Sequence, residues 1–235
     1  MKTKTRSAAP GRLERGATAR QKLIEAGLKI YSEVGFKGAS TRSLAAAAGV
    51  NIAAIPYYFG SKEGLYLAVM DHIIEYYRKN LGGDLDQIRQ ALDDKKTSPA
   101  EYLALLEGYI CRLVHFVLQE KSTECAQISI IYTREQMDPT SAFQRLYEGF
   151  STGLRETLEA LVATILERDA QSSEVKLITE TLLGQVTIFK SSRVTVLKKM
   201  GWGTYDEKRM ADIARIVTFN IRALMQAHKQ KDTTV

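Results

Sequence analysis

Between Ser40 and Lys62 the chain reads STRSLAAAAGVNIAAIPYYFGSK, a stretch rich in groups that hold a polyanion and poor in groups that make or break covalent bonds. Ser40, Thr41, Arg42, Tyr58 and Lys62 carry donors of the kind that contact phosphate oxygens. Asn51, Ile52, Ala53 and Tyr57 suit base edges: an amide donates and accepts in one plane, and apolar side chains pack on thymine methyl groups. Ser61 and Lys62, at a helix start, add free backbone N–H groups and the positive end of a helix dipole. The alternative roles are plain ones, packing for Tyr57 and Tyr58 and a solvated charge for Lys62. Catalysis has little to draw on. His72, His115 and His228 lie far apart without metal-ligand spacing, and the sequence has no Gly-rich phosphate loop, Ser-centred nucleophile motif or paired-His motif. Cys111 and Cys125 have neither zinc-site spacing nor a disulfide framework, so reduced thiols are expected, with no metal and no cofactor.

The charge is placed where that stretch needs it. Of the net charge of +6, residues 1–80 hold 13 Lys and Arg against 6 Asp and Glu, whereas residues 81–235 hold 20 against 21. A basic first third on a neutral body points to one end meeting a polyanion. At 45% hydrophobic and 26% charged, with four prolines among 235 residues, the composition is that of a folded, helix-rich protein. No apolar run approaches the roughly 20 residues that span a membrane. The basic N-terminus has no apolar segment behind it and is not a secretory signal, so a cytoplasmic protein is expected.

The elements around the stretch read as helices. Residues 1–17 form a polar, basic arm, in which Arg6, Arg12 and Arg15 are within reach of a DNA backbone or are simply solvated. From Thr18 to Val34, Leu23, Gly27, Ile30, Tyr31 and Val34 recur at helical spacing, and Gly35 stops the pattern. Ser40 is an N-cap for a second helix to Ala48, and Gly49 suits a left-handed turn. Asn51 caps a third helix, Ile52 to Phe59, and Ser61 a fourth. Leu44, Val50, Ile55 and Phe59 form the core side of this unit, leaving Asn51, Ile52, Ala53, Pro56 and Tyr57 on the open side. Two helices joined by a tight Gly turn make a helix-turn-helix.

Residues 80–98 read as a boundary, marked by Gly82-Gly83 and Asp93-Asp94-Lys95-Lys96. Ser98-Pro99-Ala100-Glu101 is a strong helix start, with Ser as cap, Pro at the first position and Glu three residues on. Further helical patterns cover 99–119, 124–134, 139–168, 174–199 and 206–229, with a break at 199–203 and no alternating strand segment. The expected fold is all-α: an N-terminal three-helix helix-turn-helix head at 18–64, a connecting helix to about 80, and a C-terminal helical domain at 81–235.

The stretch Leu23 to Leu65 resembles the N-terminal domain of the TetR family of bacterial transcriptional regulators. The resemblance rests on Gly35-Phe36 after the first helix, Ser40-Thr41, Ala48-Gly49-Val50, and above all Tyr58-Phe59-Gly60-Ser61-Lys62-Glu63-Gly64-Leu65. Residues Thr133 to Phe143, Leu182-Leu183-Gly184-Gln185 and Gly201-Trp202 are similar to the CecR-like branch. The resemblance implies a regulator, usually a repressor, that leaves a palindromic operator when a small, largely apolar effector binds, with a link to efflux or detoxification. It also implies a homodimer formed through the last two long helices, for which Leu182, Leu183, Val186, Phe189, Ile213, Ile216, Val217 and Leu224 are the apolar positions available. At Pro56 the family usually has a phosphate-contacting Tyr. That role does not transfer, and a proline inside a helix removes a bond to the Ile52 carbonyl.

An effector needs a mostly apolar pocket with a few polar groups. Tyr102, Tyr109, Phe116, Phe143 and Phe150 supply aromatic surface for one, and His115, Gln127 and Arg134 the polar groups. Core packing is the competing role for each aromatic. Two other functional classes remain at this stage: a helical interaction module whose basic head binds anionic surfaces, and an all-α enzyme. Preference for one DNA sequence, with strong salt dependence, separates a regulator from both.

Overall fold

The computed structural model describes residues 12–94, 96–119 and 122–230, and side chains from Thr18 to Lys229 within them. Among the described residues every regular element is helical. Arg6 lies outside them, as do the side chains of Arg12 and Arg15. The backbone is already helical at Arg12, six residues ahead of the expected start at Thr18.

The chain forms two compact units, residues 1–74 with 122–146, and 75–121 with 147–235. In the first, helix α1 (Arg12–Gly38) packs on α2 (Thr41–Ala48), α3 (Ala54–Phe59) and α6 (Thr123–Met137). Leu23, Ile24, Leu28 and Tyr31 of α1 are at most 4% exposed, as are Leu65, Val69, Met70 and Ile73 of α4 (Lys62–Asp93). These repeats of three and four residues make the apolar stripe of each helix. Gly27 allows close packing between α1 and α4, since a Cβ there would stand 2.7 Å from Val69 Cγ2. At Gly35 α1 breaks with φ 72°, a backbone state that costs an L side chain energy, so the stop expected there is a kink inside the element. The chain then runs to the capping box of α2, where Ser40 and Ser43 exchange side-chain and backbone bonds.

Helix α4 overrides one expectation. Gly82-Gly83 does not end it; 32 residues are helical without interruption. Two glycines cost about 2 kcal/mol of helix propensity together. Leu81, Leu85 and Ile88, each at most 3% exposed, bury enough apolar surface to outweigh that. The first turns of α4 belong to the first unit and the remainder to the second.

In the second unit α5 (Pro99–Leu118) opens with the expected box, Ser98 N–H donating to Glu101 at 2.7 Å and Glu101 N–H to Ser98 Oγ at 3.3 Å. It packs most extensively on α11 (Glu207–Gln230), and also on α8 (Thr152–Leu166) and α9 (Ser173–Ser191). Two helices expected as single pieces are broken. The 139–168 pattern becomes α7 (Phe143–Leu146), a π-helical turn (Tyr147–Ser151) and α8. The 174–199 pattern divides at Ser192 into α9 and α10 (Arg193–Met200), whose C-cap Gly201 lies in the expected break. Residues 122–146, placed by the sequence reading in the C-terminal domain, pack with the first unit. No helix among the described residues is long and apolar enough to cross a membrane.

Gly64 sits where the recognition unit turns into α4. A Cβ there would stand 1.9 Å from the Phe59 carbonyl oxygen, a backbone atom that has no free side-chain end to yield. Gly64→Ala is expected to lower the thermal midpoint by several degrees and abolish sequence-preferring DNA binding; an unchanged melting curve would contradict this packing.

Candidate nucleic-acid interface

The helix-turn-helix is built from short pieces held at both ends. Helix α2 closes at Gly49, φ 64°, with Gly49 N–H bonded to Ala46 O at 3.1 Å and Val50 N–H to Ala45 O at 3.1 Å. Leu44, Ala45 and Ala48 are buried, while Ala46 and Ala47 are exposed. The next turn is fixed by Asn51, whose Oδ1 accepts from Ala53 N–H at 2.9 Å. Helix α3 therefore starts at Ala54, two residues later than expected, and Asn51 caps the approach rather than the helix itself.

Pro56 costs this helix nothing. It lies in the first turn, where its missing N–H has no obligatory partner, and the Ile52 carbonyl accepts from Ile55 N–H at 3.2 Å. The bond expected to be lost at Pro56 is thus supplied one residue earlier. Ile55, fully buried, pins α3 to the core, and Arg20 lies over the Phe59 ring at 5.3 Å. The opposite side is open: Asn51, Ile52, Ala53, Pro56 and Tyr57 are exposed, Tyr57 at 77% and Ile52 at 47%. Tyr57 and Tyr58 meet edge to face at 4.8 Å, with Tyr58 half-buried. Asn51, Ile52, Ala53 and Tyr57 thus share one surface.

The rim candidates divide. Arg42 is exposed at the start of α2, next to Ser40 and the half-buried Thr41. The Ser40 hydroxyl is already engaged with Ser43 at 3.1 Å. Lys62 is no free surface cation. Its ammonium donates to the carbonyls of Phe36 at 3.2 Å and Ala39 at 3.1 Å and lies 4.3 Å from the Phe36 ring centroid. Ser61 Oγ accepts from Gly64 N–H at 3.1 Å and caps α4 as expected.

The pocket candidates do not form one set. Gln127, Arg134 and Phe143 belong to the first unit, and Tyr102, Tyr109, His115, Phe116 and Phe150 to the second. Gln127 lines a polar cleft of about 270 Å³ with Gln21, Glu25, Leu28 and Glu124. Arg134 donates to the Tyr31 carbonyl at 2.7 Å. Its sequence separation of 103 residues hid that partner, and no local pattern marks it. In the second unit Tyr102 is buried with its hydroxyl donating to Ala91 O at 3.2 Å, and Tyr109 is 2% exposed. His115 Nδ1 lies 3.6 Å from Glu207. Phe150 stacks on Tyr77 at 5.1 Å, and Phe116 meets Tyr77 at 5.5 Å and Tyr76 at 5.9 Å. Tyr76 and Tyr77, absent from the expected set, are thus the hub of this half-buried aromatic cluster. Neither Cys111 nor Cys125 is in a disulfide, and burial raises the Cys111 thiol above its ordinary pKa.

Two family models match the chain. Residues 23–69 match the model described as bacterial regulatory proteins, tetR family, and residues 104–228 match the C-terminal domain of the HTH-type transcriptional dual regulator CecR. The CecR dual regulator of Shigella flexneri is 30% identical over 222 residues, which cover 94% of this chain and 98% of that protein. Two solved structures share the fold. A transcriptional regulator of Pseudomonas aeruginosa PAO1 has a TM-score of 0.59 at 18% identity, covering 94% of this chain and 95% of that one. AibR, solved with isovaleryl coenzyme A and operator DNA, has a TM-score of 0.57 at 16% identity, covering 85% and 96%.

Arg42 and Tyr57 are expected to act differently on DNA. Arg42→Ala weakens all sequences alike and reduces the slope of log K against log salt by about one. Tyr57→Ala and Asn51→Ala each weaken a preferred duplex by roughly tenfold and relax its base preference. Fluorescence anisotropy over a salt series measures both, and unchanged affinity and preference in the Tyr57 and Asn51 variants would remove the assigned face.

Proposed function

The chain belongs to the TetR family of bacterial transcriptional regulators, in its CecR-like branch, and from that premise we propose that it represses transcription from a palindromic operator until a small, largely apolar effector releases it. It is a DNA-binding regulator, not an enzyme. The observation that carries the proposal is the exposed face of Asn51, Ile52, Ala53 and Tyr57, mounted on a rigid, capped, basic head. With Ile52 and Ala53 at its centre, that face reads thymine methyl groups and groove shape more than it reads hydrogen bonds. Ser40, Thr41, Arg42 and Tyr58 contribute phosphate contacts at the rim. Lys62 contributes through its third N–H and the backbone at the start of α4, since two of its ammonium hydrogens are committed internally. The head is residues 18–64, and regulatory input arises, in the cytoplasm, from the second unit, residues 75–121 and 147–235.

The effector site we infer is built on the half-buried Tyr76, Tyr77 and Phe116 and the buried Phe150, an environment for a flat or acyl-like apolar group. AibR, which shares the fold, holds an acyl coenzyme A. The relative in Shigella flexneri is a dual regulator, which makes activation at some promoters the second mode to test.

The surface of α9 and α11 supports a two-fold dimer. Of the positions expected at an interface, Leu182, Leu183, Val186, Ile213 and Val217 are buried inside the chain's own core, Phe189 and Leu224 are half-buried, and Ile216 is exposed. The apolar side chains left exposed are Leu177 at 66% and Ile188 at 49% on α9, with Ile216 at 48% and Phe219 at 70% on α11. Leu177, Thr181, Gly184 and Ile188 follow spacings of four, three and four, so they line one stripe. A second copy turned by a two-fold presents the same stripe and completes a four-helix bundle.

Two experiments test this. Selection from a random duplex library is expected to yield a palindromic site whose binding weakens steeply with salt; equal affinity for all sequences would refute the regulator reading. Ile188→Glu with Phe219→Glu is expected to convert a dimer to a monomer in sedimentation at micromolar concentration and to weaken operator binding at least a hundredfold. A wild-type monomer would remove the dimer.

A further inference from the structure

Helix α6 ends against the first unit's break in α1. Gly35 departs from helical geometry and ends the regular run of α1. Arg134, on α6, donates from Nη1 to the Tyr31 carbonyl at 2.7 Å. It packs so close to the kink that a Cβ on Gly35 would stand 3.2 Å from the same nitrogen. A guanidinium in the last turn of a helix bonds a carbonyl there and opposes the negative dipole end.

The next residue fixes that helix in place. Glu135 is 1% exposed, and its carboxylate accepts from Tyr66 Oη at 2.6 Å, Thr140 N–H at 3.0 Å and Thr140 Oγ1 at 2.9 Å. Burial, then the bond to Glu135, raises the Tyr66 phenol well above its ordinary pKa. Tyr66 meets Tyr31 edge to face at 4.6 Å and Phe36 at 4.9 Å, and the Phe36 carbonyl is one of those held by Lys62. Arg134 therefore holds the chain just before the kink, and Lys62 holds it just after. Together they set where Ser40 starts α2.

We propose that Arg134 is a positioning residue for DNA recognition, acting from α6 through the Tyr31 carbonyl on the angle at which α1 delivers α2. The buried Glu135 keeps it in register. Neither residue needs to touch DNA. The proposal rests on the DNA-binding reading of the head, and its test separates the two.

The probe is the duplex that the full-length wild-type protein selects from a random library, with binding measured across a salt series and folding followed by circular dichroism. Arg134→Met is expected to weaken binding at least tenfold while leaving the salt slope at its wild-type value, because no phosphate contact is removed. Arg134→Lys, which still reaches the carbonyl, is expected to recover most of the loss. Arg42→Ala, by contrast, lowers the slope. If Arg134→Met does not fold, Thr140→Val carries the test: it removes one donor to Glu135 and is expected to weaken binding about threefold at constant slope. Wild-type affinity in a folded Arg134→Met, or in Thr140→Val where it substitutes, overturns the proposal. So does a fall in slope matching Arg42→Ala, which would make Arg134 a direct phosphate contact. A wild-type protein with no sequence preference overturns the DNA-binding reading itself.

Discussion

The head depends on one cation. After Gly35 breaks α1, the connection to α2 carries carbonyls with no helical partner, and the Lys62 ammonium gathers two of them, from Phe36 and Ala39, beneath the Phe36 ring. Hydrogen bonds to a charged donor are worth about 1.5–3 kcal/mol each. Because Lys62 is the first residue of α4, this one contact ties the end of α1, the entry to α2 and the start of α4 to a single point. Tyr31 tightens the same knot, its hydroxyl donating to the Lys62 carbonyl at 3.3 Å.

That anchoring matters because the pieces it holds are too short to stand alone. Helix α2 has eight residues and α3 six, well under the roughly 12–15 at which isolated helices become marginally stable. Their order comes from caps at Ser40, Gly49 and Asn51 and from the buried Leu44 and Ile55. The consequence is functional. Tyr57 is exposed while Ile55, on the other side of the same helix, is fully buried, so the helix is anchored through one face and open on the other.

The second unit solves a different problem. Its helices use one apolar face for their own core and leave Leu177, Ile188, Ile216 and Phe219 exposed on α9 and α11. Its aromatic cluster around Tyr77 sits beside a π-helical turn, where Arg78 donates to the Gly149 carbonyl at 3.1 and 2.7 Å. A π-turn widens a helix by one residue and is common at functional sites. Here it carries Phe150 onto Tyr77.

The sequence by itself determined the local features: the all-helical pattern, the caps at Ser40, Ser61 and Ser98, the left-handed turn at Gly49, the break in helical geometry at Gly35, the basic first third and the motif strings that carry the family resemblance. Each depends on neighbours within a few residues, so spacing and residue type suffice. Tertiary structure alone decided the rest. Gly82-Gly83 stays helical because Leu81, Leu85 and Ile88 are buried by distant helices, an energy that local propensity does not contain. Lys62 turns inward and Arg134 joins the head because their acceptors, at Phe36, Ala39 and Tyr31, lie 23 to 103 residues away. Which apolar face of α9 and α11 is core and which is surface was likewise undecided until packing chose, since a helix with two apolar stripes gives both the same periodicity.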